Sequence, residues 1–262
     1  MAFKFYSSIV AQTFPTFVDR GNIQEWKCNN TAISGKVRLD KYTGSRGAVY
    51  VPTLGGTTVL PAGNIFMNKR NIITSIDFQH VPYANTNAFM TCQGLTNLKS
   101  VTNITNKFAP GTTMRDFFYD CYNLNFKSTF TVPSNVTVID TMFCECHSLN
   151  VKIVIPEGVT NMYRTFYRCN SFNQDIVIPR SVRNYDGCFQ YCTALSSNIY
   201  VYNADVAFSE YMFDGTSRAK NVYIYYKYAN GKDTKSYTYA NFYNFTRGRN
   251  GVIMHDMGTA PW

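Results

Sequence analysis

Histidine is scarce in this chain, with only His80, His147 and His255 in 262 residues. The sequence also lacks a nucleophile elbow, a phosphate-binding glycine loop and a His-Glu-x-x-His helix. Nothing in it pairs a base with a nucleophile, and no enzyme and no cofactor are expected. No stretch approaches the roughly 20 apolar residues that a membrane-spanning helix needs, so membrane insertion is not expected either. The opening Met1-Ala-Phe-Lys-Phe-Tyr6 runs into polar residues before an apolar core forms, and no secretion signal is read there.

What is present in abundance is repetition. Phe143-Cys-Glu-Cys146-His-Ser-Leu149, Phe166-Tyr-Arg-Cys169-Asn-Ser-Phe172 and Phe189-Gln-Tyr-Cys192-Thr-Ala-Leu195 start 23 residues apart. A fixed period of this length marks a solenoid, whose units stack because none buries its apolar face alone. Apolar pairs recur on the same 23-residue period: Phe130/Val132, Ile153/Ile155, Ile176/Ile178, Ile199/Val201 and Val222/Ile224. Alternating apolar positions predict a short strand with one buried face, laid beside its neighbours in a growing parallel sheet. Pro133, Pro156 and Pro179 then end the strands, where a residue without an N–H is tolerated.

Looser copies extend the array. Phe118-Tyr-Asp-Cys121-Tyr-Asn-Leu124 and Phe89-Met-Thr-Cys92-Gln-Gly-Leu95 read as two further units, and Phe66 with Ile72, Ile76 and Phe78 as an atypical first one carrying Lys69 at the cysteine position. Phe213-Asp-Gly-Thr216 reads as the last, degraded copy. The expected fold is mostly β: a solenoid of about six to seven units of about 23 residues over 63–226, preceded by an N-terminal β cap or attachment segment, 1–62, and followed by an aromatic β-like cap, 227–262. That last segment carries Tyr228, Tyr237, Tyr239, Phe242, Tyr243 and Phe245, cut by Gly231, Gly248 and Gly251, and is expected to close the open sheet edge or to contact a partner.

The stretch Ile155-Pro-Glu-Gly-Val159-Thr-Asn-Met162-Tyr-Arg-Thr-Phe166-Tyr-Arg-Cys169-Asn-Ser-Phe172 resembles the BspA-like leucine-rich repeat, and Thr141-Met142-Phe143 also resembles the Met-Phe-x-x-Cys repeats of mycoplasma-type surface proteins. Phe172 departs from the usual leucine, Met162 and Tyr185 from isoleucine, and Thr141, Thr165 and Cys188 from alanine. The resemblance implies a surface-exposed recognition scaffold of bacterial adhesins, protist surface proteins or bacteriophage virions, and it implies no chemistry. With no export signal read, the expectation is a virion component (tail, fibre or capsid decoration) assembled in the host cytoplasm and exposed on the particle. The alternative is a bacterial or protist cell-surface adhesin, and a glycan-processing enzyme on the same solenoid is the remaining reading. Expected partners are other virion proteins or a host-surface glycan or protein, with homo-oligomers compatible.

Eight cysteines invite a disulfide or metal reading, yet Cys121, Cys146, Cys169 and Cys192 hold one repeat position. They are expected to form an inward ladder with Phe118, Phe143, Phe166 and Phe189. Cys144-Glu-Cys146-His147 is the one cluster of metal-ligand types, and strand-like alternation aims Cys144 and His147 apart, so no metal site is expected. Asp175 and Glu157 are the carboxylates that a glycan-cleaving site would use, against their reading as solvated turn residues.

Residues between the inward pairs point outward: Thr131, Val154, Val177, Tyr200 and Tyr223, flanked by Thr129, Lys152, Asp175, Asn198 and Asn221. The candidate binding stripe is Lys152, Asp175, Asn198, Tyr200, Tyr202, Asn221, Tyr223 and Tyr225, suited to sugar rings or protein partners because a phenol ring offers flat apolar area with a polar tip. The other reading packs these tyrosines under the C-terminal cap. A formal charge of +9 favours an anionic polymer as partner. Lys227, Lys232, Lys235, Arg247 and Arg249 make the densest basic group, a pattern shared with single-strand nucleic-acid binders.

Overall fold

The computed structural model describes residues 22–29, 35–61, 63–84, 87–104, 108–202, 211–226 and 251–259. Near the start, β1 (Trp26–Asn29) pairs antiparallel with β2 (Val37–Tyr42), which pairs in parallel with β4 (Thr58–Val59). Trp26 and Tyr42 from this sheet meet Phe66 at ring centroids 5.8 and 6.0 Å away. All three rings are buried, so this sheet covers the first end of the core.

The solenoid ladder begins at β3 (Ala48–Tyr50), and from there every pairing is parallel. β3 pairs with β5 (Ser75–Asp77) and β5 with β6 (Ser100–Thr102); β8 (Phe130–Thr131) pairs with β10 (Ile153–Val154); β11 (Ile176–Ile178), β12 (Ile199–Val201), β13 (Lys220–Tyr226) and β14 (Val252–Thr259) follow in order. Ile176 lies opposite Ile199 and Ile199 opposite Val222, so one period of the sequence is one coil. The result is a β-solenoid of about 7 turns. β14 stands opposite β13, with Tyr223 against His255, so the boundaries at 62/63 and 226/227 both fall inside the ladder. Residues 227–250, with the basic group and most of the terminal aromatics, lie outside the described residues.

The continuous sheet that the pairs predict comes instead in three pieces, broken between β6 and β8 and between β10 and β11. At the first break the chain takes six steps from Leu124 to Phe130 where the next coil takes four from Leu149 to Ile153, and the two extra residues carry it out of register. At the second, Gln174 sends its side-chain amide to the carbonyl and side chain of Asn150. A second side of the coil runs through both breaks: β7 (Thr112–Thr113) pairs with β9 (Val136–Val138), and single bridges link Asn87, Thr113, Val138, Asn161 and Asn184.

The third side carries the repeated phrase. Phe118, Phe143, Phe166, Phe189 and Phe213 are buried in one stack, with successive centroids 5.6, 5.6, 5.5 and 5.8 Å apart and planes within 14°. Three residues after each of the first four, a buried thiol donates to a carbonyl one coil back: Cys146 to Phe118 at 3.1 Å, Cys169 to Phe143 at 3.0 Å, Cys192 to Phe166 at 2.9 Å. That carbonyl already accepts the N–H of its own turn, as Phe143 does from Cys146. The thiol therefore fills a second lone pair and stitches coil to coil. Residues two before and two after each of the first four rings are left-handed, for instance Arg164 (φ 49°) and Arg168 (φ 55°) about Phe166. Each such non-glycine costs on the order of 1 kcal/mol and is held by the stack around it.

Two early units need a correction. Cys121 donates its thiol to the carbonyl of Cys92, and the left-handed pair brackets Cys92 at Met90 and Gly94. Cys92 therefore stands in the phenylalanine column, with Leu95 and Leu98, both buried, in the cysteine and leucine columns. The frame Phe89-Cys92-Leu95 is displaced by three residues, because an i, i+3, i+6 apolar spacing is satisfied equally by Cys92, Leu95 and Leu98. In the first unit Ile72 is 38 % exposed and Ile73 is buried in its place. Lys69 turns outward to the carbonyl of Thr43.

Burial pushes the thiols of Cys92, Cys146, Cys169 and Cys188 well above their ordinary range, raises those of Cys121 and Cys192 in the same direction, and pushes Cys144 up to about 12. Below the unfolded thiol pKa of about 8.5 both states keep their protons; above it only the unfolded state releases them, so stability falls. At pH 9.5 each such thiol is expected to cost about 1.4 kcal/mol of stability. Lys220, pushed down to about 8 by burial, works oppositely between pH 8 and its unfolded value, but it is one group against seven. Urea midpoints at pH 7.5, 8.5 and 9.5 should fall steeply across the last step; a flat profile would mean that the thiols are not interior.

Candidate functional site

The strand side presents the predicted stripe. Alternation along β11, β12 and β13 buries Ile176, Ile178, Ile199, Val201, Val222 and Ile224 and turns Val177, Tyr200 and Tyr223 outward. Lys152 and Asp175 are exposed, while Asn198, Tyr200, Tyr202, Asn221, Tyr223 and Tyr225 are half-buried.

Two ladders run across the strands. In the polar one, Asp175 accepts from the backbone N–H of Asn198 at 2.9 Å, Asn221 donates to the Asn198 side chain at 3.1 Å, and His255 Nε2 meets Asn221 Oδ1 at 3.0 Å. In the aromatic one, Tyr200 stacks on Tyr223 (4.9 Å, 12°) and Tyr223 on His255 (4.6 Å, 15°), while Tyr202 meets Tyr225 edge-on at 4.7 Å. His255 belongs to both ladders. Sequence reading missed it because the 32 residues from Tyr223 to His255 break the 23-residue period.

The ring geometry decides what this stripe offers. Stacked rings on adjacent strands spend their faces on each other, so Tyr223 presents mainly an edge. Tyr200 stands at the end of the stack, and the next strand places Val177, 40 % exposed, opposite it. Valine is too short to cover a phenol ring, so among the described residues the outer part of that face is left uncovered above Val177. Lys152 and Asp175 stand on the same outward side of the two preceding strands. Partial desolvation, with Asp175 nearby, raises the Tyr200 hydroxyl pKa, so the tip is a neutral hydrogen-bonding group.

A second surface was not foreseen. On the turn side, the Arg164 guanidinium sits 5.1 and 5.3 Å from the rings of Tyr163 and Tyr167, and Arg168 sits 5.3 and 5.5 Å from those of Tyr167 and Tyr191. Arg168 also pairs with Glu145 at 3.1 Å. A Cβ on Gly215 (φ 69°) would lie 2.2 Å from the Tyr191 ring, so only glycine fits that turn. The missing signal was the left-handed backbone, which the sequence hides because charged residues occupy most of those positions.

The other candidates are dispersed. Cys144 is buried, whereas His147 lies outside it, bonded to Glu145 at 2.8 Å and stacked on Tyr122. No group of three or more metal-ligating side chains forms among the described residues. Glu157 accepts from the N–H groups of Arg180 and Ser181, and Asp175 from Asn198, so both carboxylates bind the turns of the following coil. No helix among the described residues is long and apolar enough to cross a membrane.

Residues 112–227 match the family model described as Mycoplasma protein of unknown function, DUF285. This match covers the Phe118 to Phe213 stack and meets the resemblance to mycoplasma-type repeats. Similar solved structures include a leucine rich cell surface protein from Faecalibacterium prausnitzii A2-165 (18 % identity, TM-score 0.49, covering 80 % of this chain and 71 % of that one). A leucine rich repeat protein of T. pallidum is 14 % identical (TM-score 0.46, covering 91 % and 99 %), and one from Bacteroides ovatus 16 % (TM-score 0.39, covering 80 % and 71 %). No curated protein matches the chain.

Proposed function

We propose that this chain is a non-enzymatic recognition scaffold that binds a pyranose ring of a surface glycan on the open face of Tyr200. The observation that carries the reading is the change along the stripe from Val154 and Val177 to the stacked Tyr200 and Tyr223. It creates a step whose wall is an aromatic face and whose rim holds Lys152, Asp175 and Asn198. Such a step suits a sugar, whose apolar C–H face lies on the ring while its hydroxyls meet the polar rim.

Tyr200→Ala is expected to weaken binding to intact bacterial cells by about 10-fold or more, with the melting temperature shifted by no more than a few degrees. Tyr223→Ala, adjacent in the stack, should act less because that ring offers no free face. Enzymatic removal of surface glycan should abolish binding, and raised salt should weaken whatever part the +9 charge contributes. Equal losses of binding and stability in Tyr200→Ala would make the ring a core element and end the reading.

For the setting, a phage virion part contacting its host is proposed first, in line with what the repeat's resemblance implies. A bacterial surface adhesin is the second reading, and the family matched over 112–227 is described from a bacterium. Neighbouring capsid and tail genes would favour the first, and a neighbourhood of surface-protein genes the second.

A further inference from the structure

The break between β6 and β8 opens a groove of about 580 Å³ on the strand side, a volume within the range of ligand sites. The two strand edges that border it carry main-chain groups without a backbone partner among the described residues. In a parallel ladder, residues bonding one neighbour alternate with residues bonding the other. Phe130 and Val132 donate forward to the carbonyls of Lys152 and Val154, each at 3.0 Å, so the N–H and C=O of Thr131 face back toward β6. Phe78 donates to the carbonyl of Thr102, so Thr102 faces β5 and the main chain of Val101 faces β8. Just before the strands the N–H of Asn125 bonds the carbonyl of Lys99 at 3.1 Å, and beyond that point no backbone bond spans β6 and β8 among the described residues. At the other break β10 and β11 remain in contact; at this one the longer connection into β8 carries Phe126, which stacks on Phe130 at 4.5 Å.

We propose that this groove takes an extended peptide segment of a partner protein, which lies between β6 and β8 as the missing strand and pairs with Val101 on one side and Thr131 on the other. Strand addition of this kind draws its affinity from main-chain bonds and its selectivity from the side chains beside them. Among the described residues the lining carries hydroxyl, amide and apolar groups and one ionisable side chain, Lys127. The preferred segment is therefore one without cations, bearing one carboxylate placed to meet Lys127. The site stands three coils from Tyr200 and does not depend on the glycan reading.

The test uses the full chain and synthetic hexapeptides of alternating valine and threonine, with aspartate or lysine placed at each position in turn. In the free protein the amides of Val101 and Thr131 should exchange with deuterium much faster than those of Val154 and Tyr200, which are paired. Aspartate peptides should slow both amides and bind at least 10-fold more tightly than their lysine counterparts. N-methylation at alternate residues should abolish binding. Lys127→Glu, on an exposed side chain, should reverse the charge preference, and Thr131→Pro should lose binding because it removes the inward N–H; Tyr200→Ala should leave both unchanged. Slow exchange of Val101 and Thr131 in the free protein, or no added protection from any peptide at millimolar concentration, would overturn the proposal.

Discussion

Cys169→Asp is expected to unfold the central coils altogether. The thiol is fully buried in the column between Cys146 and Cys192 and donates to Phe143 O. A carboxylate there has no cation to pair with, replaces a donor by an acceptor, and faces a carbonyl that is itself an acceptor. An unpaired buried charge of this kind costs on the order of 5 kcal/mol or more, comparable with the whole stability of many domains. Cys169→Ser, which keeps a donor, should cost far less, on the order of 1 kcal/mol. Circular dichroism melts of the two variants check the difference. A near-native melt for the aspartate variant would place Cys169 outside the core.

Phe166→Ala should be the next most damaging change. Phe166 stacks on Phe143 at 5.6 Å and on Phe189 at 5.5 Å, and also meets Phe172 at 4.8 Å. Its removal leaves a cavity in the middle of the column, and such truncations cost about 3–5 kcal/mol. In a solenoid each coil is supported only by its neighbours, so the loss should uncouple the coils on either side and broaden the melt. Phe213→Ala, at the end of the column with one stacked neighbour among the described residues, should cost less. Equal effects at both positions would mean that the column does not act as a series of nearest-neighbour contacts.

Repetition made most of this fold legible in advance. A residue that recurs every 23 positions must occupy the same place in every coil, so Phe143, Phe166 and Phe189, and with them Cys146, Cys169 and Cys192, were placed inside by period alone. Where the period lapsed, the reading slipped. Between Phe66 and Phe118 the spacing pattern fits two frames, and only the thiol bond from Cys121 to Cys92 and the left-handed residues around Cys92 choose between them. His255 joined the stripe without any periodic signal, because its strand is brought beside Tyr223 by a connection longer than one repeat.

The candidate site divides in the same way. Outward placement of Tyr200, Asn198 and Asp175 follows from strand alternation, which is local and readable from residue order. Which ring keeps a free face is not local, since it depends on the side chain that the neighbouring coil sets opposite: valine before Tyr200, tyrosine after it. The sequence by itself determined the period, the inward columns and the parallel stacking, because identical units can bury identical apolar faces only by stacking in register. Tertiary structure alone decided where the sheet parts between β6 and β8, which tyrosine ends its stack among the described residues, and how arginines and tyrosines interleave on the turn side. Those features arise from contacts between unlike coils, where insertions and unequal side chains meet and no repeat rule applies.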